Sequence, residues 1–242
     1  MSLRYNSLSK CGKGKKQNED SIGILQIDGG MLCIVCDGLG GGADAAKASR
    51  FCVKTIQEYF LDSPGKNYLS KIKESVILAN ALLCDLSTSK NNLKGMATTS
   101  DVFFLNSHTL YWGHIGDSRI YNFINGKLHQ LTKDHSLVQE MLDNGYISVE
   151  DASKHPNKNI ILNALGEYLD VEIDISKIIL NNEEHYRFMI CTDGVTAVLS
   201  NHELEQILKI INIDECLKVL DEKIQSGGSP DDYSIILIDS VN

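Results

Sequence analysis

Four carboxylate clusters stand at the ends of strand-like runs in this sequence. Met31–Cys36 runs straight into Asp37-Gly38, and Phe188–Thr192 runs straight into Asp193-Gly194. Asp231-Asp232 precedes the apolar run Tyr233–Ile238, and Glu19-Asp20 precedes Ser21–Ile27. An apolar run of this length reads as a buried strand, and a glycine directly after the carboxylate frees the backbone at the strand's lip. Acidic groups at the ends of four strands predict one acidic pocket at the rim of a sheet. Hard divalent cations take carboxylate and carbonyl oxygens, so the chemistry expected of that pocket is Mg²⁺ or Mn²⁺ binding.

Other chemistries fit less well. Gly38–Gly42 is glycine-rich, but Ala43-Asp44 follows where a phosphate loop needs Lys and Ser or Thr, and no clean βαβ unit surrounds it. The histidines nearest polar segments, His114, His135 and His155, show no HxxxH or HExxH spacing, and there is no GxSxG elbow. Cys33 and Cys36 form a CxxC, yet residues three apart on a strand point to opposite faces, so the two sulfurs diverge. An Asp-Gly pair is ordinarily a turn, as expected for Asp28-Gly29; Gly116-Asp117-Ser118-Arg119 reads equally as a plain strand connection.

The elements that must carry these groups follow from periodicity. Strands are expected at Ser21–Ile27 and Met31–Cys36, joined by a hairpin at Asp28-Gly29-Gly30, and at Thr98–Leu105, Thr109–Ile115, Arg119–Ile124, Leu128–Leu131, Val171–Leu180, Tyr186–Thr192 and Tyr233–Ile238. Helices are expected at Asp44–Phe60, with Ala48, Phe51, Cys52, Thr55, Ile56 and Tyr59 on one face, and at Tyr68–Ser87, with Leu69, Ile72, Val76, Ala79, Leu82 and Leu83 inward. Pro64-Gly65 separates the two. Further helices are expected at Ser136–Asn144, Asn201–Ile211 and Ile213–Gln225, and residues 145–158 read as a polar, irregular flap. Without βαβ alternation, this order predicts an antiparallel α+β layered domain.

Composition sets the class. The 242 residues carry 43% hydrophobic side chains, enough for one generous domain, 1–242, with its own core. Lys and Arg number 23 against 32 Asp and Glu, a net charge of −9 that disfavours a nucleic-acid or anionic-membrane partner. No apolar run approaches a membrane span, and Met1–Lys16 lacks a signal-peptide core. Seven cysteines, an odd number, spread through apolar segments read as core thiols in a reducing, cytoplasmic compartment.

Taken in order, the motifs resemble the metal-dependent protein phosphatase 2C family in its compact bacterial form. They are Gly12–Asp20, Cys36–Gly41, Gly95–Thr99, Gly113–Arg119, Leu131–Ser136, His155-Pro156 through Ala164–Gly166, Cys191–Gly194 and Gly228–Asp232. The resemblance spans residues 12 to 238. It implies a four-layer αββα fold, a central antiparallel β-sandwich flanked by helices. It implies two Mn²⁺ or Mg²⁺ ions, with a third in some members, and hydrolysis of phosphoserine and phosphothreonine by a hydroxide shared between the two. Asp37, Asp193 and Asp231 take the catalytic places; the metal positions fall on Asp20, Asp37, Gly38, Asp117, Asp193 and Asp231, with Glu19 beside them.

The substrate-binding places fall on Lys15 and on His155 in the mobile flap. Lys15 stands where the family commonly has Arg, with Lys16 as the alternative candidate at that edge; Leu39 stands where many eukaryotic members have His. Asp232 replaces the usual Asn and either faces solvent or adds to the field around the metal. The implied partners are phosphorylated proteins, substrates of a serine/threonine kinase, and the implied state is a monomer. A catalytically inactive phosphoprotein-binding module on the same fold and a small-molecule phosphoesterase are the alternative readings.

Overall fold

The structure, a computed structural model, describes residues 2–241 apart from 28, 42, 64, 66, 90–94 and 182. The expectations that fall on Asp28, Gly42 and Pro64 lie outside the described residues.

Strict alternation along the strands builds the layers. In β3 (Gly30–Leu39) Leu32, Ile34 and Cys36 face a helical layer, while Met31, Cys33 and Val35 face the opposite sheet. β5 (Ser100–Leu105) divides likewise into Val102 and Phe104 on one side and Phe103 and Leu105 on the other. A strand buried on both faces cannot show a polar–apolar alternation, which is why these segments read as continuous apolar runs. Cys33 and Cys36 do lie on opposite faces.

Two antiparallel sheets result. One runs β2 (Asp20–Ile27), β3, β5, β6 (Thr109–Ile115), β9 (Asp174–Ile179), with the short β4 (Ala97–Thr98) paired to the end of β3. The other runs β1 (Ser2–Lys10), β11 (Tyr233–Val241), β10 (Tyr186–Cys191), β7 (Arg119–Ile124), β8 (Lys127–Gln130). Their inner faces meet through Phe103, Phe188, Ile190, Ile236 and Ile238. Helices α1 (Ala43–Asp62) and α2 (Tyr68–Ser89) cover the first sheet through Cys52, Ile56, Ile72, Val76 and Leu83. The short α5 (Asp193–Thr196), α6 (Asn201–Leu208) and α7 (Ile213–Ser226) cover the second through Val195, Leu204, Leu217, Leu220 and Ile224. Three apolar clusters between four layers make the αββα fold. Among the described residues no helix is long and apolar enough to cross a membrane.

Several elements differ from expectation for identifiable reasons. β1 was not foreseen: its Leu3 packs between the sheets and its Leu8 under α7, so its few apolar residues never line one face. The expected strand Thr98–Leu105 is broken at Thr99, whose N–H turns to donate to the Asp37 carbonyl at 2.9 Å. Residues 145–158 are only partly irregular: α4 (Val149–Lys154) lies there, after α3 (Leu137–Asp143), and Ser148 caps it by accepting from the Asp151 N–H at 3.2 Å. The face of α1 is rotated, with Val53 and Phe60 buried and Tyr59 at its flank bonding Glu74, and Leu82 of α2 points outward. Cys11 is exposed, unlike the other six cysteines.

The helix α6 stops at Leu208, three residues early, because Arg187 gathers the carbonyls beyond it. Its guanidinium donates to Leu208, Ile210 and Ile211 and forks onto Asp239 at 2.6 and 2.7 Å. Both partners of this pair are buried, at 3% and 7% exposure. Arg187→Ala is expected to lower unfolding free energy by roughly 3–5 kcal/mol, since it strands a buried carboxylate and three carbonyls. Urea denaturation would check it; a loss below about 1 kcal/mol would mean that solvent re-satisfies these groups.

Candidate metal centre

Antiparallel pairing puts Asp20, at the start of β2, directly opposite Asp37, near the end of β3. β10 ends at Cys191 on the same rim, so Asp193 opens α5 beside them, and Asp231 arrives there just before β11 begins. Asp117 joins from the β6–β7 turn, which Gly116 makes with φ +109°. The structure thus brings Asp20, Asp37, Asp117, Asp193 and Asp231 to one end of the sandwich. Gly38 and Gly194 are demanded by close packing. A Cβ on Gly38 would lie 2.3 Å from the Ala45 carbonyl oxygen, and one on Gly194 would lie 2.0 Å from that of Asp232.

Neutral donors fix these carboxylates. Thr192 and Ser234 each donate a hydroxyl hydrogen bond of 2.8 Å to Asp20 Oδ2. Asp20 Oδ1 is buried with no hydrogen-bond partner, and Asp117 Oδ1 is in the same condition. The Asp37 backbone is held on both sides: its N–H donates to Thr99 Oγ1 at 2.9 Å and its carbonyl accepts from Thr98 Oγ1 at 2.7 Å. Thr99 Oγ1 also contacts Ser118 Oγ at 3.0 Å, tying the Asp37 strand to the Asp117 turn.

His114 lies deeper. Its Nδ1 meets Asp101 Oδ1 at 2.8 Å and its Nε2 meets the Lys133 carbonyl at 3.0 Å. Both ring nitrogens are therefore engaged. Burial pulls its pKa down, and the Asp101 charge and hydrogen bond more than offset that, for a net rise. It is a satisfied core histidine. Its neighbour His135 accepts from the Gly116 N–H at 3.3 Å and so buttresses the Asp117 turn.

The aspartates repel one another. Burial, then the charges of Asp20, Asp193, Asp117 and Asp231, push the Asp37 carboxyl well above its usual range. Burial drives Asp20 up to about 7 against the pull of its two hydroxyl donors. Burial, then Asp193 and Asp134, drives Asp117 to about 8, with Arg119 opposing. Asp193 is raised by burial and Asp231. Partnerless buried oxygens on convergent, mutually repelling carboxylates are the donor set that hard divalent cations satisfy. The set is not a closed cage: among the described residues no three His, Cys, Asp or Glu side chains are drawn together into a finished ligand group.

A family model described as protein phosphatase 2C matches residues 9–224. The chain belongs to the protein phosphatase 2C family. It is 32% identical over 237 residues to the serine/threonine phosphatase stp of Listeria monocytogenes, covering 94% of this chain and 92% of that protein. It is 30% identical over 240 residues to the serine/threonine protein phosphatase PstP of Mycobacterium tuberculosis, covering 99% of this chain and 45% of PstP, so it spans about half that relative's length. The crystal structure of the PstP catalytic domain in complex with two manganese ions superposes with a TM-score of 0.87 at 30% identity, covering 99% of both chains.

Two protein phosphatase 2C positions carry unexpected company here. The Lys15 ammonium is turned onto carboxylates: it pairs with Asp231 and lies 3.3 Å from Asp232 and 3.7 Å from Glu19. Burial lowers its pKa, and Asp231 raises it by more. Lys16 faces solvent. Asp232 is only 2% exposed and does not face solvent. Its carboxylate accepts from the Gly12 N–H at 2.7 Å and the Glu19 N–H at 2.8 Å, stapling the 12–19 loop to the β11 entry.

His155 caps the C-terminus of α4, and its Nδ1 accepts from the Asn157 N–H at 3.2 Å, a contact within its own loop. The supporting Thr98, Thr99 and Thr192 lie within the motifs Gly95–Thr99 and Cys191–Gly194 but carried no role of their own there, and Ser234 lies outside every motif. The Thr-Thr pair after Gly95-Met96-Ala97 was the available signal, for two adjacent hydroxyls beside an acidic strand end suit anchoring.

Two outcomes follow. Thr99→Val is expected to lower Mn²⁺ affinity by about 10–100-fold, as loss of an outer-shell support typically does; calorimetry that finds parental affinity would contradict it. The second concerns pH. A carboxyl whose folded pKa is raised keeps its proton where the unfolded chain has lost it. The stability it contributes is full below the unfolded value of about 4 and is lost as pH rises through its folded value. For Asp117 that folded value is about 8. In chelator, the melting temperature of the parent should therefore fall relative to Asp117→Asn between those limits. Mn²⁺ should raise the parent's melting temperature more at the upper limit than at the lower. A constant difference across the range would count against the assignment.

Proposed function

We propose that this chain is a metal-dependent phosphatase that hydrolyses phosphoserine and phosphothreonine in proteins, using two Mn²⁺ or Mg²⁺ ions and room for a third. The observation that carries the reading is the rim of convergent aspartates with buried, partnerless oxygens on Asp20 and Asp117. Family membership and the names of the relatives support it.

Asp37, the Gly38 carbonyl, Asp193, Asp231 and Asp20 would hold the two ions, and Asp117 would hold a third. Bound there, the ions supply Lewis acidity and lower the pKa of water, which is what phosphoester hydrolysis needs.

The chain's own groups do the positioning. Thr192 and Ser234 aim Asp20 by holding one oxygen and leaving the other free. Thr98 and Thr99 fix Asp37 through its backbone, so its carboxylate is not needed to anchor the strand end. Asp134 grips Arg119 bidentately at 2.9 and 2.6 Å, so that the guanidinium stays put while its charge eases the ionisation of Asp117 and Asp193. Lys15 is the cation placed to meet a phosphoryl group, as a point charge rather than a fork. On the same reading His155 and the segment 145–158 contact the peptide, with the protein working in the cytoplasm as a monomer.

The test is turnover of a phosphothreonine peptide against sugar phosphates in Mn²⁺, with and without excess chelator. The peptide should be strongly preferred and chelation should abolish turnover. Preference for the sugar phosphates would make the chain a small-molecule phosphoesterase, and full turnover in chelator would remove the metal from the reaction.

A further inference from the structure

We propose that Lys15 is a built-in competitor of the divalent cation at Asp231, so that loading the metal and releasing the Lys15 ammonium are one event. The inference rests on reading Asp231 as a metal ligand.

The geometry comes from the loop that carries Lys15. The Gly12 N–H and the Glu19 N–H both donate to Asp232, at 2.7 and 2.8 Å. The Lys13 N–H donates to the Ser229 carbonyl at 2.8 Å, and the Lys15 N–H closes a turn onto the Gly12 carbonyl at 3.1 Å. These bonds clamp both ends of the loop across the Ser229–Asp232 turn. Lys15 cannot swing away with its loop; only its side chain can move. That side chain delivers its ammonium to Asp231, with Asp232 and Glu19 close behind.

Asp231 Oδ1, which takes the ammonium, also accepts from the Asp232 N–H at 2.7 Å, and a divalent cation at that carboxylate repels the ammonium, so the two compete for it. Asp231 is 43% exposed, so an ion can reach it, and the Lys15 side chain at 31% exposure has solvent to move into. The displaced ammonium remains tethered next to the rim, where a phosphoryl dianion would be its next partner. Linkage makes the effects reciprocal: a cation bound at Asp231 frees Lys15 for phosphate, and phosphate that draws Lys15 off Asp231 strengthens cation binding. A lysine suits this exchange because its compact charge rides on a flexible stem, whereas a guanidinium's planar fork holds a carboxylate in two fixed bonds.

The test uses the full chain stripped of metal, with Mn²⁺ alone as the probe, by isothermal titration calorimetry. Four proteins are compared: the parent, Lys15→Met, Asp231→Asn and the double variant. Lys15→Met should bind the Asp231-dependent ion about three- to tenfold more tightly than the parent, the scale of a partly exposed ion pair shared among several carboxylates. Removing Lys15 should have no effect in the Asp231→Asn background. In chelator Lys15→Met should melt below the parent, because Asp231, Asp232 and Glu19 lose their counter-charge, and Mn²⁺ should reverse that order. Lys15→Gln serves the same comparison if Lys15→Met does not fold.

Equal or weaker Mn²⁺ affinity in a folded Lys15 variant overturns the inference. Unchanged Mn²⁺ binding in Asp231→Asn overturns it too, through the ligand reading on which it rests. Neither result depends on turnover, so a failure of the proposed activity would be seen separately, as a Mn²⁺-loaded parent that leaves phosphopeptides intact.

Discussion

Repulsion among carboxylates at one end of the sandwich is the constraint from which most of the local structure follows. Asp20, Asp117, Asp193 and Asp231 each raise the cost of ionising at least one other rim aspartate, and Asp37 feels the charge of all four. A chain could relieve that cost with arginines and lysines, but it would then neutralise the charge that a divalent cation requires. What stands around the rim instead is mostly neutral: the hydroxyls of Thr98, Thr99, Thr192 and Ser234, and backbone N–H groups. They fix position without supplying charge. Of the two nearby cations, Arg119 is held by Asp134, whereas Lys15 has a clamped loop but a movable side chain and meets the rim at Asp231.

Holding such groups together demands rigidity paid for elsewhere, and the four-layer stack supplies it. Each of β3, β5, β10 and β11 packs both faces against apolar neighbours, so a shift along any strand would disturb two cores at once. That double burial locks the register of Asp20 against Asp37 and of the strand ends that carry Asp193 and Asp231. Precision at the rim is thus a property of the layers beneath it, and the loops between strands only complete what the registers begin.

Legibility in the sequence tracked how local each cause was. Asp37-Gly38 and Asp193-Gly194 stood out because a buried strand directly precedes each, and antiparallel pairing then carries both to one edge. The layered α+β class was legible from element order. Features set by a distant partner were hidden. β1 exists because β11 offers it a ladder from Ser2 to Lys10, and nothing in its own pattern of Leu3 and Leu8 marks one face. The break at Thr99 exists because Asp37, far away in sequence, needs its backbone held. Asp232 reads from sequence as either a solvated charge or part of the field around the metal; the distant Gly12 and Glu19 amides turn it inward, where its charge raises Asp20. The helix α4 was masked by the polarity of its exposed residues, although Ser148 with Asp151 three positions on was a readable cap.

The strand pair β10–β11 shows how the fold separates stability from chemistry. At one end Arg187 and Asp239 face each other in register, and the guanidinium's donors are spent on that carboxylate and three carbonyls. At the other end the same two strands deliver Asp193 and Asp231, and between them Thr192 and Ser234 hold Asp20 with an oxygen left over. Buried charge is fully compensated where it only has to hold the α6 terminus, and left uncompensated where a cation must enter. The fold has no global preference for satisfied charge: among the described residues buried carboxylate oxygens lack a partner on Asp20 and Asp117 at the rim, where four strand ends, one turn and an open approach at Asp231 meet, and on Asp101 beside His114. A substitution that neutralised the rim would make the sandwich easier to hold together and remove the electrostatic reason for a divalent ion to bind there.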